Sequence, residues 1–80
     1  MEQEKIAITT PFIKLGSLLK LAGVVDTGGV GNLVIADGLV SVNGEVCLQR
    51  GKKIVPGDIV VIADDEDTLT LEVIHADNGN

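Results

Sequence analysis

The sequence has almost no aromatic residues: Phe12 is the single one, and there is neither Trp nor Tyr. Hydrophobic residues still make up 45 % of the 80 residues, which is enough for a packed core built from aliphatic side chains. A chain of this length has no room for a second core, so we expect residues 1–80 to form a single domain. The scarcity of rings excludes a site that needs several stacking platforms.

Cysteine and histidine each occur once, as Cys47 and His75. A single cysteine cannot form an internal disulfide, which is typical of a reducing compartment. One Cys and one His supply neither a catalytic triad nor a set of metal ligands, so we expect no enzyme activity and no cofactor or metal. Cys47 is expected to be a core or edge thiol, and His75 a surface residue.

Long hydrophobic runs are also missing. No segment approaches the roughly 18 apolar residues of a membrane span. The opening residues, MEQEKIAITT, carry two acids and no apolar stretch typical of a signal peptide. We therefore expect a soluble, cytoplasmic protein with no membrane partner.

Basic residues are scarce, and they are unevenly placed. Six Lys and Arg face twelve Asp and Glu, which gives a net charge of −6. All six cations precede residue 54, whereas residues 54–80 contain seven acids and no cation. This division predicts a mildly basic working face and an acidic C-terminal portion. The acidic run 64–67 lacks the spacing of a calcium loop and is expected to be a solvated turn.

The first half of the chain predicts a strand and a short helix. Residues 5–9 alternate apolar and polar side chains as a strand does. Thr10-Pro11 fits the start of a helix or of a turn, and the helix that follows is expected to end at Gly23. The residues that share its apolar face are Leu15, Leu18, Leu19 and Ala22.

A second helix is predicted between Asp26 or Thr27, as its cap, and Gly38, where it ends. Its buried face is expected to consist of Val30, Leu33 and Val34. Each glycine in this segment costs about 1 kcal/mol relative to alanine in a helix. The helix is therefore expected to depend on tertiary packing.

The second half predicts strands, beginning with a hairpin at Asn43-Gly44. A strict two-residue turn would pair Val42 with Glu45 and place Val46 on the face opposite Val42. A bulge or a longer loop would remove that conflict, so the register stays open at this point.

Two further strands are expected after the hairpin. Pro56-Gly57 turns the chain into the apolar run DIVVI, which suits a central strand, and residues 68–74 form the last strand. That last strand is expected to point Leu69, Leu71 and Val73 inward, and residues 75–80 are expected to be a frayed tail. The order of elements predicts an α+β fold; the bounds of its core, about residues 6–62, rest on the family resemblance described next.

In order and spacing, these pieces resemble the S-four-type RNA-binding domain, named after small-subunit ribosomal protein S-four and containing the alpha-L motif. The similarity is greatest to the small stand-alone bacterial, YbcJ-like members. The matching segments are ITTPFIKLGSLLKLAGVVDTGG, GLVSVNGEV, RGKK and PGD. The resemblance implies two short helices packed on a small, mostly antiparallel sheet. It also implies binding of structured RNA, often ribosomal or transfer RNA, with no nucleotide cofactor.

The resemblance further implies a contact surface made by the two helices and the 49–53 loop. The residues that match it here are Lys14, Lys20, Thr27, Gly28, Gly29, Asn32, Arg50, Lys52 and Lys53. Asn32 stands where the family usually has Lys or Arg, and Gln49 stands where it usually has another Arg. The family's polar pair after the hairpin is replaced by Cys47-Leu48. We therefore expect fewer phosphate contacts than in the relatives.

Alternatives remain open from the residues alone. The cations of the 49–53 loop also fit a solvated turn. The string TGGVGN is similar to a phosphate loop but lacks its Lys and Ser/Thr, so we expect no nucleotide. A protein-interaction domain, or a ubiquitin-like sulfur carrier, shows strings similar to VNGE and GDIVVI, although a carrier needs a terminal Gly-Gly and this sequence ends NGN. A protein partner therefore remains an alternative to RNA.

Overall fold

The computed structural model describes residues 2–23, 33–63 and 68–76 of the chain. These ranges contain seven strands, the short helix α1 and a helical segment, α2, at residues 33–36. The other bounds are β1 Glu2–Ile8, β2 Ile13–Lys14, α1 Leu15–Leu21, β3 Val40–Val42, β4 Glu45–Val46, β5 Lys53–Ile54, β6 Ile59–Ala63 and β7 Thr68–His75. The predicted α+β class, with two short helices and a mostly antiparallel sheet, is confirmed.

Five strands form the main sheet, in the order β1-β7-β6-β3-β4. Its neighbours pair antiparallel except β1 and β7, which are parallel and run in register from Glu2 opposite Leu69 to Ile8 opposite His75. The strands β2 and β5 form a separate antiparallel ribbon of two residues each. The sequence predicted β1 as a strand, but not its pairing with the last strand.

The core is aliphatic, as the composition predicted. It joins side chains from both helices, the main sheet and the ribbon into a single cluster. The buried members are Ile8, Leu15, Leu18, Leu19, Ile35, Val40, Val42, Ile54, Val60, Ile62, Leu71 and Val73. Because α1 and β5 both contribute to this cluster, the position of the helix is tied to that of the ribbon.

The apolar face of α1 is confirmed. Of the two alternatives at Thr10-Pro11, the start of a helix or of a turn, the structure shows a bend rather than a helix. Leu15 is the first helical residue, because the chain bends at residues 9–11 and then enters β2. The end at Gly23 is as predicted. This residue follows the C-cap Ala22 with φ of 77°, a conformation that glycine adopts without strain.

The predicted buried face of α2 is partly wrong. Leu33 is 65 % exposed, whereas Ile35 is 1 % exposed and Val34 is half-buried against the core. Packing on the sheet, rather than the local apolar pattern, selects the buried side of this short helix. The predicted end at Gly38 is confirmed, with φ of 79°. The predicted cap at Asp26 or Thr27, and Val30, lie outside the described residues.

The β3–β4 hairpin closes with a strict two-residue turn. Val42 pairs with Glu45, and both turn residues have positive φ, 52° at Asn43 and 90° at Gly44, as a type I′ turn requires. The conflict foreseen at Val46 is resolved by leaving that side chain 61 % exposed rather than by a bulge. This answers the question of register that the sequence left open.

The last two strands follow the sequence closely. β6 lies between β7 and β3, and Leu71 and Val73 of β7 are fully buried. β7 extends to His75, and the amide of Ala76 donates to the carbonyl of Ile8 at 2.8 Å, so the predicted frayed tail does not begin at residue 75. The predicted acidic turn at 64–67 and residues 77–80 lie outside the described residues.

Asn43 and Asp58 connect the hairpin turn to the turn that precedes β6. The Asp58 carboxylate accepts hydrogen bonds from Asn43 Nδ2 at 3.0 Å and from the Val55 amide at 2.9 Å. Asn43 Oδ1 in turn accepts from the Ile59 amide at 2.9 Å. We call this pair the Asn43–Asp58 clamp. It fixes two loops that are distant in the sequence against each other.

We predict that Asp58→Ala lowers the free energy of unfolding by about 1–3 kcal/mol, because the Val55 amide and Asn43 Nδ2 lose an ionised acceptor. Urea denaturation measures the change. Glu4→Ala removes the same charge from an exposed position of β1 and is the matched control. Equal stability of the two variants would show that the clamp contributes nothing beyond its charge.

Candidate nucleic-acid interface

The backbone of the 49–53 loop is attached to the first turn of α1. The Leu15 amide donates to the Lys52 carbonyl at 2.9 Å, and the Gly16 amide donates to the Arg50 carbonyl at 3.0 Å. Amides in the first turn have no partner within their own helix, and the N-cap residue Lys14 provides no side-chain bond. The loop carbonyls therefore replace a capping side chain and fix the loop on the helix.

Gly16 packs closely against this loop. A Cβ atom placed on Gly16 would lie 3.6 Å from both Cβ and the carbonyl oxygen of Arg50, which is an ordinary contact distance. Lys20 follows Gly16 by four residues, so it lies on the same face of the helix, one turn further on. Lys20 is exposed there.

The β2–β5 ribbon places two more cations beside the loop. Ile13 pairs with Ile54 and contributes to the core, so the next pair, Lys14 opposite Lys53, points outward. Like charges directly opposite each other on a ribbon are unfavourable. The pairing therefore concentrates positive charge at the start of α1, and the repulsion between the two lysines is not relieved by an acidic partner within the pair.

The structure thus gathers several of the predicted site residues around the first turn of α1. Lys14 is the N-cap of the helix, Arg50 and Lys52 accept hydrogen bonds from its first amides, and Lys53 pairs with Lys14. All four side chains are exposed. We call these four residues together with Lys20 the basic cluster. The predicted contacts Thr27, Gly28, Gly29 and Asn32 lie outside the described residues.

Sequence reasoning did not include Phe12 in the site. Its ring is 38 % exposed, and Lys53 Nζ lies 4.9 Å from the ring centroid, which is a cation–π distance. The ribbon turns it outward, because Ile13 faces the core and the residues on either side of Ile13 face away from it. No periodic signal in the sequence predicts this, since each strand of the ribbon is only two residues long.

A groove of about 530 Å³ lies along the β3–β4 hairpin and borders the 49–53 loop. Its lining combines the exposed Val46 and Leu48 with polar residues that include Gln49 and Lys52. Cys47 is half-buried, and its Sγ lies 3.6 Å from the Gln49 carbonyl. This agrees with the expected core or edge thiol.

The described residues contain neither a metal-binding cluster nor a membrane-spanning helix. No group of three or more potential metal ligands occurs within residues 2–23, 33–63 and 68–76. No helix within the described part of the chain has the length and apolar character needed to cross a bilayer.

A protein-family model described as S4 domain matches residues 6–70. The chain belongs to the S4 domain family. The resemblance drawn from its motifs is thereby confirmed. A curated relative, "Probable ribosome maturation protein RlbA" of Bacillus subtilis (strain 168), is 42 % identical over 57 residues, which cover 71 % of this chain and 80 % of that protein.

Within this S4 domain, the motif residues have identifiable structural tasks. The Asn of VNG and the Asp of PGD form the Asn43–Asp58 clamp, and the segment RGKK supplies the carbonyls that cap α1. The same short segment therefore provides both the backbone acceptors that fix the loop and three of the cations of the basic cluster.

Substitution of Gly16 tests whether the loop depends on close contact with α1. Gly16→Ala fits the space, whereas Gly16→Leu is expected to displace Arg50 and break the two amide bonds to the loop. Hydrogen exchange should then accelerate at the Leu15 amide in the leucine variant and stay slow in the alanine variant. Equal protection in both variants would contradict this account of the loop.

Proposed function

We propose that this S4 domain binds structured RNA without catalysing a reaction, through a basic face formed by the helices and the 49–53 loop. The observation that supports it best is the basic cluster. Five of the six cations in an acidic chain lie on α1, on the ribbon and on a loop attached to both. Backbone hydrogen bonds to α1 determine the position of the loop, so no ion pair with an anionic side chain is needed to explain that position.

Exposed Lys and Arg bind nucleic acid mainly by releasing counterions from the phosphate backbone. Five cations give a shallow salt dependence, with an expected log–log slope of about −3 to −5. The attached loop supports shape recognition, because its cations are presented at positions set by α1. Structured RNA is recognised largely through shape and backbone contacts.

We assign α1, α2 and the hairpin with its 49–53 loop to the alpha-L motif. The contacts between α1 and the loop support this assignment, as does the membership of the S4 domain family. We further propose Thr27, Gly28, Gly29 and Asn32 as RNA contacts, on the basis of the family resemblance alone. Backbone amides at those glycines would add one phosphate contact to those made by the cations.

Ribosomal RNA is the partner we favour over transfer RNA, and the cytoplasm is the compartment that follows from it. The support is the relative named as a probable ribosome maturation protein. The ubiquitin-like sulfur-carrier alternative is not retained, because the chain is an S4 domain. A protein partner on the ribosome remains a second candidate, supported by the exposed Val46 and Leu48 beside the groove.

Filter binding to ribosomal RNA at several salt concentrations tests the basic face. Single alanine substitutions at Lys14, Lys20, Arg50, Lys52 and Lys53 are each expected to weaken binding and to reduce the salt slope by about 1. Lys5→Ala is the charge-matched control, because Lys5 is exposed on β1, in the main sheet and outside the ribbon and its loop. It should leave the slope unchanged.

Two results would contradict the proposal: absence of binding at low salt, or a control variant that loses as much affinity as the five. Retention of a ribosomal partner after nuclease treatment, together with a dependence on Val46 and Leu48, would favour the protein-binding alternative.

A further inference from the structure

We propose that Phe12 is a stacking platform for one unpaired nucleobase, so that the RNA bound by this domain contains single-stranded nucleotides beside its paired region. This inference rests on the proposed RNA-binding function and adds a contact that the cations do not provide. It names the kind of RNA, a stem with an exposed loop or bulge, rather than a uniform duplex.

The outward face of the ribbon carries the proposed contact. Ile54 is fully buried and Ile13 is half-buried against the core, so Lys14 and Lys53 point away from it. Phe12 precedes Ile13 and Val55 follows Ile54, so the same alternation points both of them outward. Phe12 is 38 % exposed and Val55 is 43 % exposed. We call these four outward residues the ribbon face. It combines two cations with two exposed apolar side chains.

Packing does not account for the position of Phe12. The buried cluster consists of aliphatic residues from the helices and the sheet, and the ring is not part of it. The single aromatic residue of the chain is instead held at the surface, where the Thr10 hydroxyl donates to the Phe12 carbonyl at 2.7 Å. An exposed ring is of direct use to a protein that binds unpaired bases, because each base offers a flat face to stack on it.

One face of the ring is covered by Lys53. Its ammonium lies 4.9 Å from the ring centroid, at the end of an exposed side chain. An exposed lysine on a flexible stem leaves such a position at little cost. When a base stacks on Phe12, Lys53 moves to the adjoining phosphate, where Lys14 also lies within reach. The unfavourable pair Lys14–Lys53 is then neutralised by the bound backbone.

A uniform duplex does not use this ring, because its bases are stacked on one another and offer no free face. A loop or bulge presents an unstacked base next to phosphates, which matches a ring beside a pair of lysines. The proposal therefore predicts a preference between two RNAs of similar charge.

The test compares a stem–loop RNA that has an unpaired pyrimidine loop with a fully paired duplex of the same stem. The full chain is used with Phe12→Leu, Phe12→Tyr and Phe12→Trp variants. We expect the ratio of affinities, stem–loop over duplex, to fall roughly tenfold in Phe12→Leu. The ratio should be preserved in Phe12→Tyr, which keeps the ring. Thermal melting of each variant reports whether the fold is intact.

Phe12→Trp provides a readout that does not depend on affinity, because it places a single Trp in a chain that has none. Stacking on a base should quench its fluorescence with the stem–loop and not with the duplex. If wild-type protein binds neither RNA, the proposed function itself fails. If it binds both RNAs while Phe12→Leu keeps the ratio and Phe12→Trp shows no quenching, RNA binding stands and the role of Phe12 is overturned.

Discussion

The first turn of α1 has amide donors that the helix itself cannot satisfy, and the position of the basic loop follows from that need. No side chain at Lys14 caps the helix, so the carbonyls of Arg50 and Lys52 accept from Gly16 and Leu15. Backbone donors near a folded core seldom stay without a partner. A constraint of ordinary helix chemistry thereby determines where three cations are displayed.

The loop is also held at both of its ends. β4 precedes it and is paired with β3, while β5 follows it and is paired with β2. The Asn43–Asp58 clamp then joins the two turns that flank this region. Binding residues on loops are effective when a rigid scaffold supports them. Here the scaffold reaches the loop from the helix, the ribbon and the hairpin together.

Features set by local chemistry could be predicted from the sequence. The apolar face of α1, the glycine ends of both helices and the position of the hairpin at Asn43-Gly44 depend on periodicity and on φ, and they appear in the structure. The match of motif order to the S4 domain family succeeded for the same reason, since those motifs are turns and caps of fixed spacing.

Features set by tertiary contacts could not be predicted in this way. Lys14 pairs with Lys53 in a ribbon whose strands are only two residues long, which is too short to give a periodic pattern in the sequence. Ile35 rather than Leu33 faces the core, because packing against the sheet determines which side of α2 is buried. The bonds between Asn43 and Asp58 join residues that each look like ordinary turn formers. The predicted RNA contacts at Thr27, Gly28, Gly29 and Asn32 stay a prediction from the sequence.

The parallel pairing of β1 with β7 has a consequence for how the protein folds. Glu2 pairs with Leu69 and Ile8 with His75, so the two paired strands lie far apart in the sequence. Contacts between such distant segments form late and carry a large loop-closure cost. The main sheet is therefore completed only when β7 pairs with β1. Until then β1 is an unpaired strand, and its exposed polar residues Gln3, Glu4 and Lys5 oppose association with other strands.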